Sequence, residues 1–370
     1  MRAPLGYLRF AAEKSRGRRY PEPEHPYRNA FQRDRDRVIH ARAFRRLENK
    51  TQVFAPGISD HFRNRLTHTL EVTQISRTVA GVLGLNEDLT EALALVHDVG
   101  HPPFAHAGEE ALNRAMQRFG EKFDHNIQSL RIVEKLEQRY PRFPGLNLSF
   151  EVREGIVKHS RDFGPGEFPD LDEYLPGMRP VLEAQLIDLA DEVAYNSADL
   201  DDAYEAGLLE PAQIAAAVPA YAGILDTIET QYPGASEREQ FQESVRRLID
   251  DLVSGLIEGT VSAAQEARAG TPDDVRAHPA RIARFSGAAK QTSADLKRFL
   301  FANVYSSAEL AAGRKVSMAR LEWVFDRLLE RGYQARAACD FIAGMTDRYF
   351  LRYYESLSSL SSETPLSAVE

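Results

Sequence analysis

The sequence predicts an all-α protein. Two observations carry this: apolar residues recur at three- and four-residue spacing in almost every long segment, and β-branched alternation between turn signals is nearly absent. Taken in order, residues 1–30 hold Pro21, Pro23 and Pro26 among charges and predict an extended basic arm. Helical periodicity resumes over Phe31–Arg46 and returns over Thr67–Leu83 and Asp88–Val99. Pro102 and Pro103 stop the third of these helices, and a new one runs from near His106 to about Phe119. Further helices are expected at 124–140, 149–160 and 180–205. Two stretches rich in Gly, Pro and acid, Asp162–Pro180 and 267–280, read as loops and give the best internal breaks. Residues 211–266 form alanine-rich and charged helices without a chemical motif, and 290–356 hold two or three more. Ser356–Glu370, with six serines and little apolar content, reads as a disordered tail. The chain thus divides into an arm (1–30), a core (31–210), a helical insertion (211–290), C-terminal helices (291–355) and a tail (356–370).

At 370 residues, 43% hydrophobic and 27% charged, the composition is that of a soluble globular protein of one large or two ordinary domains. The single cysteine, Cys339, excludes an internal disulfide framework. The N-terminus lacks an apolar signal region and no run approaches the ~20 apolar residues that span a bilayer, so a cytoplasmic protein without membrane contact is expected. Residues 1–50 carry 14 Lys/Arg against 6 Asp/Glu, so with a net charge of −9 the rest of the chain carries −17. A basic arm on an acidic body suits nucleic acid, a nucleotide phosphate tail, a neighbouring subunit or docking on the chain's own acids.

Seven of the ten histidines lie between His61 and His159, and the motif His97-Asp98-Val99-Gly100-His101-Pro102-Pro103-Phe104-Ala105-His106 sits among them. His97 and Asp98 diverge by about 100° on a helix, so both meet one ion only if it lies off the helix end. His68 faces away from an apolar stripe (Leu70, Val72, Ile75, Val79) and is either a core histidine or a third ligand. A fourth ligand can come from Asp188, Asp191, Tyr195 and Asp199, which share one helix stripe where a cation would relieve like-charge repulsion. Two imidazoles and two carboxylates suit Mn, Fe, Zn, Ni or Mg, and an ion so held supports hydrolysis. His106 and Glu109, three residues apart, suit proton transfer, because a carboxylate fixes an imidazole's tautomer and stabilises its cation. His101 and His125 either supply charge to a phosphate, protonate a leaving oxygen or orient their neighbours.

The order His68, His97-Asp98, Asp191 resembles that of the HD-domain phosphohydrolases, and the resemblance is closer to their deoxyguanosine triphosphate triphosphohydrolase branch. It rests on AFRRLENKTQVF (43–54), NRLTHTLEVTQISR (64–77), LVHDVGHPPFAHAGEEALN (95–113) and EAQLIDLADEVAYNSADLDDAYEAGLL (183–209), with weaker support from FDHNIQSLRIVEKLE, GIVKHS and FIAGMTDRY. The resemblance implies an HD-domain helical fold with additional C-terminal helices, and metal-dependent hydrolysis of a 2′-deoxynucleoside triphosphate at the α-phosphorus to deoxynucleoside and inorganic triphosphate. By position it makes His68, His97, Asp98 and Asp191 metal ligands, with Mn²⁺ or Mg²⁺ foremost and Co²⁺, Fe²⁺, Ni²⁺ or Zn²⁺ as other occupants. His106, paired with Glu109, becomes the leading catalytic residue, and His125 acts near the leaving 5′ oxygen. Arg65 and His101 face phosphate, Tyr195 packs on the deoxyribose, Asp199 with Gln52 holds the 3′-hydroxyl, and Lys297 and Tyr305 reach the phosphate tail. A homo-oligomer, with a nucleotide activator or single-stranded DNA as further partner, is implied as well. Residues 211–290 match no family pattern, and Tyr305 is followed by Ser306-Ser307 where relatives commonly carry an Arg-His pair.

Two other functions fit the same residues. One is another HD phosphohydrolase acting on nucleoside monophosphates, cyclic dinucleotides or alarmones. The other is a catalytically silent regulator that binds nucleotide or single-stranded DNA through the basic arm.

Overall fold

The computed structural model describes residues 4–53 and 62–362, and among these every extended element is helical. Phe54 of the first family block and residues 363–370 of the expected tail lie outside the described residues. Extended pairing among them is confined to the isolated bridges Arg18 with Ser149 and Thr51 with Asn64.

The arm is docked on the chain's own body. Leu5, Leu8 and Phe10 are buried in the core. Glu151 accepts from Ser15 Oγ at 2.5 Å and from the Arg16 N–H at 2.9 Å, Arg18 reaches Asp34 at 2.5 Å, and Tyr20 stacks on Phe143 with ring centroids 5.8 Å apart. Arg18, Arg19 and Arg28 of the arm are thus paired with acids of the same chain.

Helices α1 (Ala30–Ile39) and α2 (Arg42–Arg46) replace the single helix expected over Phe31–Arg46. Helix α3 (Arg65–Leu83) starts at a reciprocal cap between Asn64 and Thr67 and ends at Gly84, whose φ of 80° suits the residue that carries no side chain. Helix α4 (Glu87–Val96) is capped by Asn86 and stops three residues before the expected Val99. Three-residue turns, Val99 N–H to Val96 O and His101 N–H to Asp98 O, take over there. Helix α5 spans Ala105–Gln117. Helix α6 (His125–Arg131) continues as a π-turn over Ile132–Leu136 and ends well short of the expected 140, because Pro141 and Pro144 follow. Helices α7 (Phe150–Val157) and α8 (Leu182–Glu205) complete the stretch that positions the site.

Residues 211–290 form α9 (Pro211–Ala217), α10 (Pro219–Gln231), α11 (Glu237–Ala267) and α12 (Pro272–Ala277), then the start of α13 (Gly287–Leu300). Their apolar faces, through Tyr221, Phe241, Leu248 and Leu252, are part of the main core. Arg276 adds a buried ion pair with Glu154 of α7 at 2.6 Å. After a π-turn to Tyr305 come α14 (Ala308–Glu330), α15 (Ala335–Ala343) and α16 (Asp347–Ser362). Helix α16 runs to Ser362, past the expected boundary at 356. Leu357 is buried, and the hydroxyls of Ser356, Ser358 and Ser359 donate back to carbonyls three or four residues earlier, so the serines do not break it.

Two hydrophobic cores result. The first gathers the arm, α1, α3, α4, α7, α8 and the 211–300 helices. The second packs α5 (Ala111, Leu112, Ala115, Met116) against α14, α15 and α16.

Candidate active site

The four expected metal ligands come together from three helices of the first core. His68 Nε2 lies 2.8 Å from Asp191 Oδ1, and His97 Nε2 lies 3.5 Å from Asp98 Oδ1 and 4.0 Å from Asp191 Oδ1. Ligand atoms of His68, His97 and Asp98 all fall within 4.8 Å of one another, as do those of His97, His159 and Asp191. The early end of α4 permits this, since His97 closes the helix while Asp98 already belongs to the turn.

The donor set fits a divalent ion. His97 Nδ1 is 2.6 Å from the Ala94 carbonyl, which can only accept, so Nδ1 carries the proton and Nε2 presents a lone pair. That Nε2 is buried without a hydrogen-bond partner, beside two carboxylates. Burial also lowers the His97 pKa, which favours the neutral imidazole a metal requires. Against burial, the neighbouring His101, His97 and Arg65 side chains hold Asp98 well below the usual carboxylate range, and hydrogen bonds from His159 and His68 do the same for Asp191.

His159, just beyond α7, is a fifth member of the cluster that sequence reasoning did not select. Its ring lies 5.2 Å from that of His97, and its Nε2 lies 3.7 Å from Asp191 Oδ2. The available signals were its place among the seven clustered histidines and the block GIVKHS.

The acidic stripe of α8 is divided among separate partners. Asp191 serves the cluster, Asp188 lies 3.6 Å from Arg281, and Asp199 accepts a hydrogen bond from the Tyr305 hydroxyl. Burial pushes Asp199 up to about 7 even though that hydrogen bond opposes it, and its Oδ1 is buried without a partner.

Glu109 on α5 binds His125 more closely than His106. Its Oε1 accepts from the His125 N–H at 3.0 Å and lies 2.8 Å from His125 Nδ1, whereas Oε2 is 3.7 Å from His106 Nδ1. The His106 side chain is 83% exposed, so the i,i+3 pair inferred from sequence is the looser of the two. Burial alone would lower the His125 pKa, but Glu109 outweighs it and leaves His125 raised. His101 stacks on His125 at 4.0 Å, with Nδ1 2.9 Å from Asp98 Oδ1. Burial, with the charge of Arg65, keeps His101 well below its ordinary value.

The motif's small residues are steric requirements. A Cβ on Gly100 would sit 2.2 Å from the His125 carbonyl oxygen, and one on Gly108 would sit 2.0 Å from that of Pro103. Ser129 of α6 takes the Gly100 N–H at 2.9 Å and donates to the His97 carbonyl at 3.2 Å, which ties α6 to the metal motif. At the start of α5, Phe104 and Ala105 adopt φ of 63° and 53°. Each such left-handed residue costs roughly 1–2 kcal/mol, and together they turn the chain so that ligand-type atoms of His101, His106 and Glu109 fall within 4.8 Å of one another.

The expected substrate residues are placed unevenly. Arg65 is buried, with Nη1 2.5 Å from Asp98 Oδ2. Gln52 is half-buried and its Oε1 lacks a partner. Lys297 pairs with Glu192 at 2.7 Å and lies 5.9 Å from the centre of the half-buried Tyr195 ring. Two further residues hold this side in place. Buried Asp347 of α16 accepts from the Thr51 N–H at 2.9 Å, the Thr51 hydroxyl and the Phe104 N–H at 3.1 Å. Lys50, pushed down to about 7 by burial and the nearby Arg46 charge, joins the carbonyls of His101 and Ala343.

A helical fold that gathers His68, His97-Asp98 and Asp191 defines an HD-domain protein, and the HD domain model matches residues 65–196. The phosphohydrolase-associated domain model matches residues 283–356, which include α13, α14, α15 and the first part of α16. The chain is 45% identical to a deoxyguanosinetriphosphate triphosphohydrolase-like protein of Geobacter sulfurreducens, over 96% of this chain and 95% of the relative. It is 47% identical to the like-named protein of Ralstonia nicotianae (94% and 92%) and 44% identical to that of Brucella ovis (93% and 92%). The chain belongs to the family of deoxyguanosinetriphosphate triphosphohydrolase-like proteins. No helix among the described residues is long and apolar enough to cross a membrane.

Proposed function

We propose that this protein hydrolyses 2′-deoxynucleoside triphosphates, dGTP or several dNTPs, at the α-phosphorus. The products are deoxynucleoside and inorganic triphosphate, and the role is control of the cytoplasmic deoxynucleotide pool. The observation that carries the reading is the buried His68, His97 and Asp98 with half-buried Asp191, beside a second group, Glu109 and His125, suited to proton transfer. Those four residues would hold the divalent ion, Mn²⁺ or Mg²⁺ foremost, and it would supply polarisation of a phosphoryl oxygen and activation of water.

The rest of the chemistry belongs to the chain. An alkoxide leaves poorly, so a proton must reach the 5′ oxygen as the P–O bond breaks. His125, whose imidazolium Glu109 favours, is the donor, and exposed His106 at the other oxygen of Glu109 exchanges the proton with solvent. Arg65 orients Asp98 and adds positive charge where the phosphoryl oxygens gain negative charge. Tyr195 faces the deoxyribose and leaves no room for a 2′-hydroxyl. Asp199 and Gln52 offer unpartnered oxygens to the 3′-hydroxyl, and Lys297 and Tyr305 serve the phosphate tail. A homo-oligomer regulated by a nucleotide or by single-stranded DNA belongs to the same reading.

Incubation of pure protein with each deoxynucleoside triphosphate and Mn²⁺, Mg²⁺ or Co²⁺, followed by product separation, tests the reading. Triphosphate and deoxynucleoside are expected. Pyrophosphate or orthophosphate would overturn it, and salt-sensitive DNA binding without turnover would mark the protein as a silent regulator.

A further inference from the structure

A cleft of about 570 Å³ opens between α2, α6 with its π-turn, and α15–α16, and none of the residues assigned above to metal, proton transfer or substrate lines it. Gln128 lines it with only 1% exposure, and neither its Nε2 nor its Oε1 has a hydrogen-bond partner. A buried carboxamide with both ends unpaired is costly, so it points to a ligand that offers an acceptor beside a donor. Arg42 and Arg46 also line the cleft, and Arg46 Nε is buried without an acceptor. The acids in the lining are already engaged. Glu137 accepts from the Arg42 and Ala43 N–H groups at 2.8 and 3.2 Å, and Asp340 takes the Arg131 guanidinium. Ile132, Phe341, Met345 and Tyr349 supply an apolar and aromatic wall.

Each feature selects part of the occupant. Unpaired guanidinium groups favour a carboxylate or phosphate, the carboxamide favours a planar edge with adjacent donor and acceptor, and the aromatic wall favours a flat face. The volume lies within the range of small-molecule sites. We infer that this cleft is a second ligand site, distinct from the metal centre, for a small planar heterocycle bearing a carboxylate or phosphate, with its anion on Arg46 and Arg42 and its edge on Gln128. The site communicates with the first through covalent and hydrogen-bonded neighbours. Gln128 lies three residues after His125 on α6, Ser129 ties that helix to Gly100 and His97, and Lys50 links Ala343 to His101. That an occupant alters turnover rests on the hydrolytic reading above; that it binds does not.

Calorimetric titration of the full-length, metal-free protein without substrate keeps the two apart. The probes are orotate, a nucleoside 5′-monophosphate and orthophosphate, and the proteins are wild type, Arg46→Gln and Gln128→Leu. Wild type binds one orotate or one monophosphate per chain. Arg46→Gln, which breaks no ion pair, weakens all binding at least about tenfold. Gln128→Leu weakens the heterocyclic probes and leaves orthophosphate unchanged. Orotate and monophosphate separate a carboxylated from a phosphorylated source. Absence of binding up to about 1 mM, or equal binding by wild type and Arg46→Gln, overturns the inference. So does a change of oligomeric mass in Arg46→Gln on sedimentation, which would make the cleft a contact between copies.

Discussion

Substitution of Glu109 by Gln keeps the shape of the side chain and removes its charge, so it isolates what that charge does for His125. The pair is close, at 2.8 Å, and mostly shielded, with side-chain exposures of 18% and 21%. A hydrogen bond to a charged group contributes about 1.5–3 kcal/mol, so loss of the charge withdraws roughly that much support from the imidazolium and lowers the His125 pKa. The sign follows from its direction. The folded pKa is raised, so the imidazolium persists below it and is lost as pH rises through it. If His125 is the proton donor, turnover falls on the alkaline side as that proton leaves, and Glu109→Gln moves the fall to lower pH. Two assays check this: the pH profile of kcat, and the NMR titration of the His125 ring proton in protein without substrate. A ring titration that moves while the kcat profile stays fixed would remove His125 from the acid role. A ring titration that stays fixed would refute the electrostatic argument itself.

Other substitutions probe the surrounding structure. His159→Ala should weaken divalent metal binding by about 10–100-fold in chelator competition, as loss of a residue that orients a ligand does; unchanged affinity would place His159 outside the ion's surroundings. Asp347→Ala strands the buried Thr51 N–H and hydroxyl and the half-buried Phe104 N–H and should destabilise the protein by about 2–4 kcal/mol, read as a lower urea midpoint. An unmoved midpoint would show that α16 does not clamp the Thr51 and Phe104 turns. Tyr195→Ala should erase most of a roughly 100-fold preference for deoxy over ribo substrate, measured as a ratio of kcat/KM; retained preference would assign the exclusion elsewhere.

What could be read from the sequence depended on how local each signal was. His97 and Asp98 are adjacent, so their pairing was legible within one segment, whereas His68 stood equally as a core histidine and Asp191 as one of four residues on a stripe, and the family resemblance singled those two out. At Glu109 the same locality gave part of the arrangement. Helical spacing offered His106, which lies 3.7 Å from it, while the closer partner, His125, comes from the next helix and gains a second bond through its backbone N–H. Lys50, His159 and Asp347 had no periodic signature, because what makes them matter is a partner far along the chain: Ala343, Asp191 and Thr51, respectively. Helix existence was legible and helix ends less so. Val96 ends α4 through competing three-residue turns, and α16 continues through its serines to Ser362, with Leu357 buried among them.

The two hydrophobic cores divide the chemistry between them. His68, His97, Asp98 and Asp191 stand on helices or turns of the first, while His106 and Glu109 ride on α5, whose apolar face belongs to the second. Segments with separate cores open as separate cooperative units. Warming that loosens α14–α16 would release α5 and disperse the proton-handling groups while the ion stayed seated. Such a protein fails in two stages, first as a catalyst and only later as a metal binder, so the amount of bound metal overstates how much of the population still works.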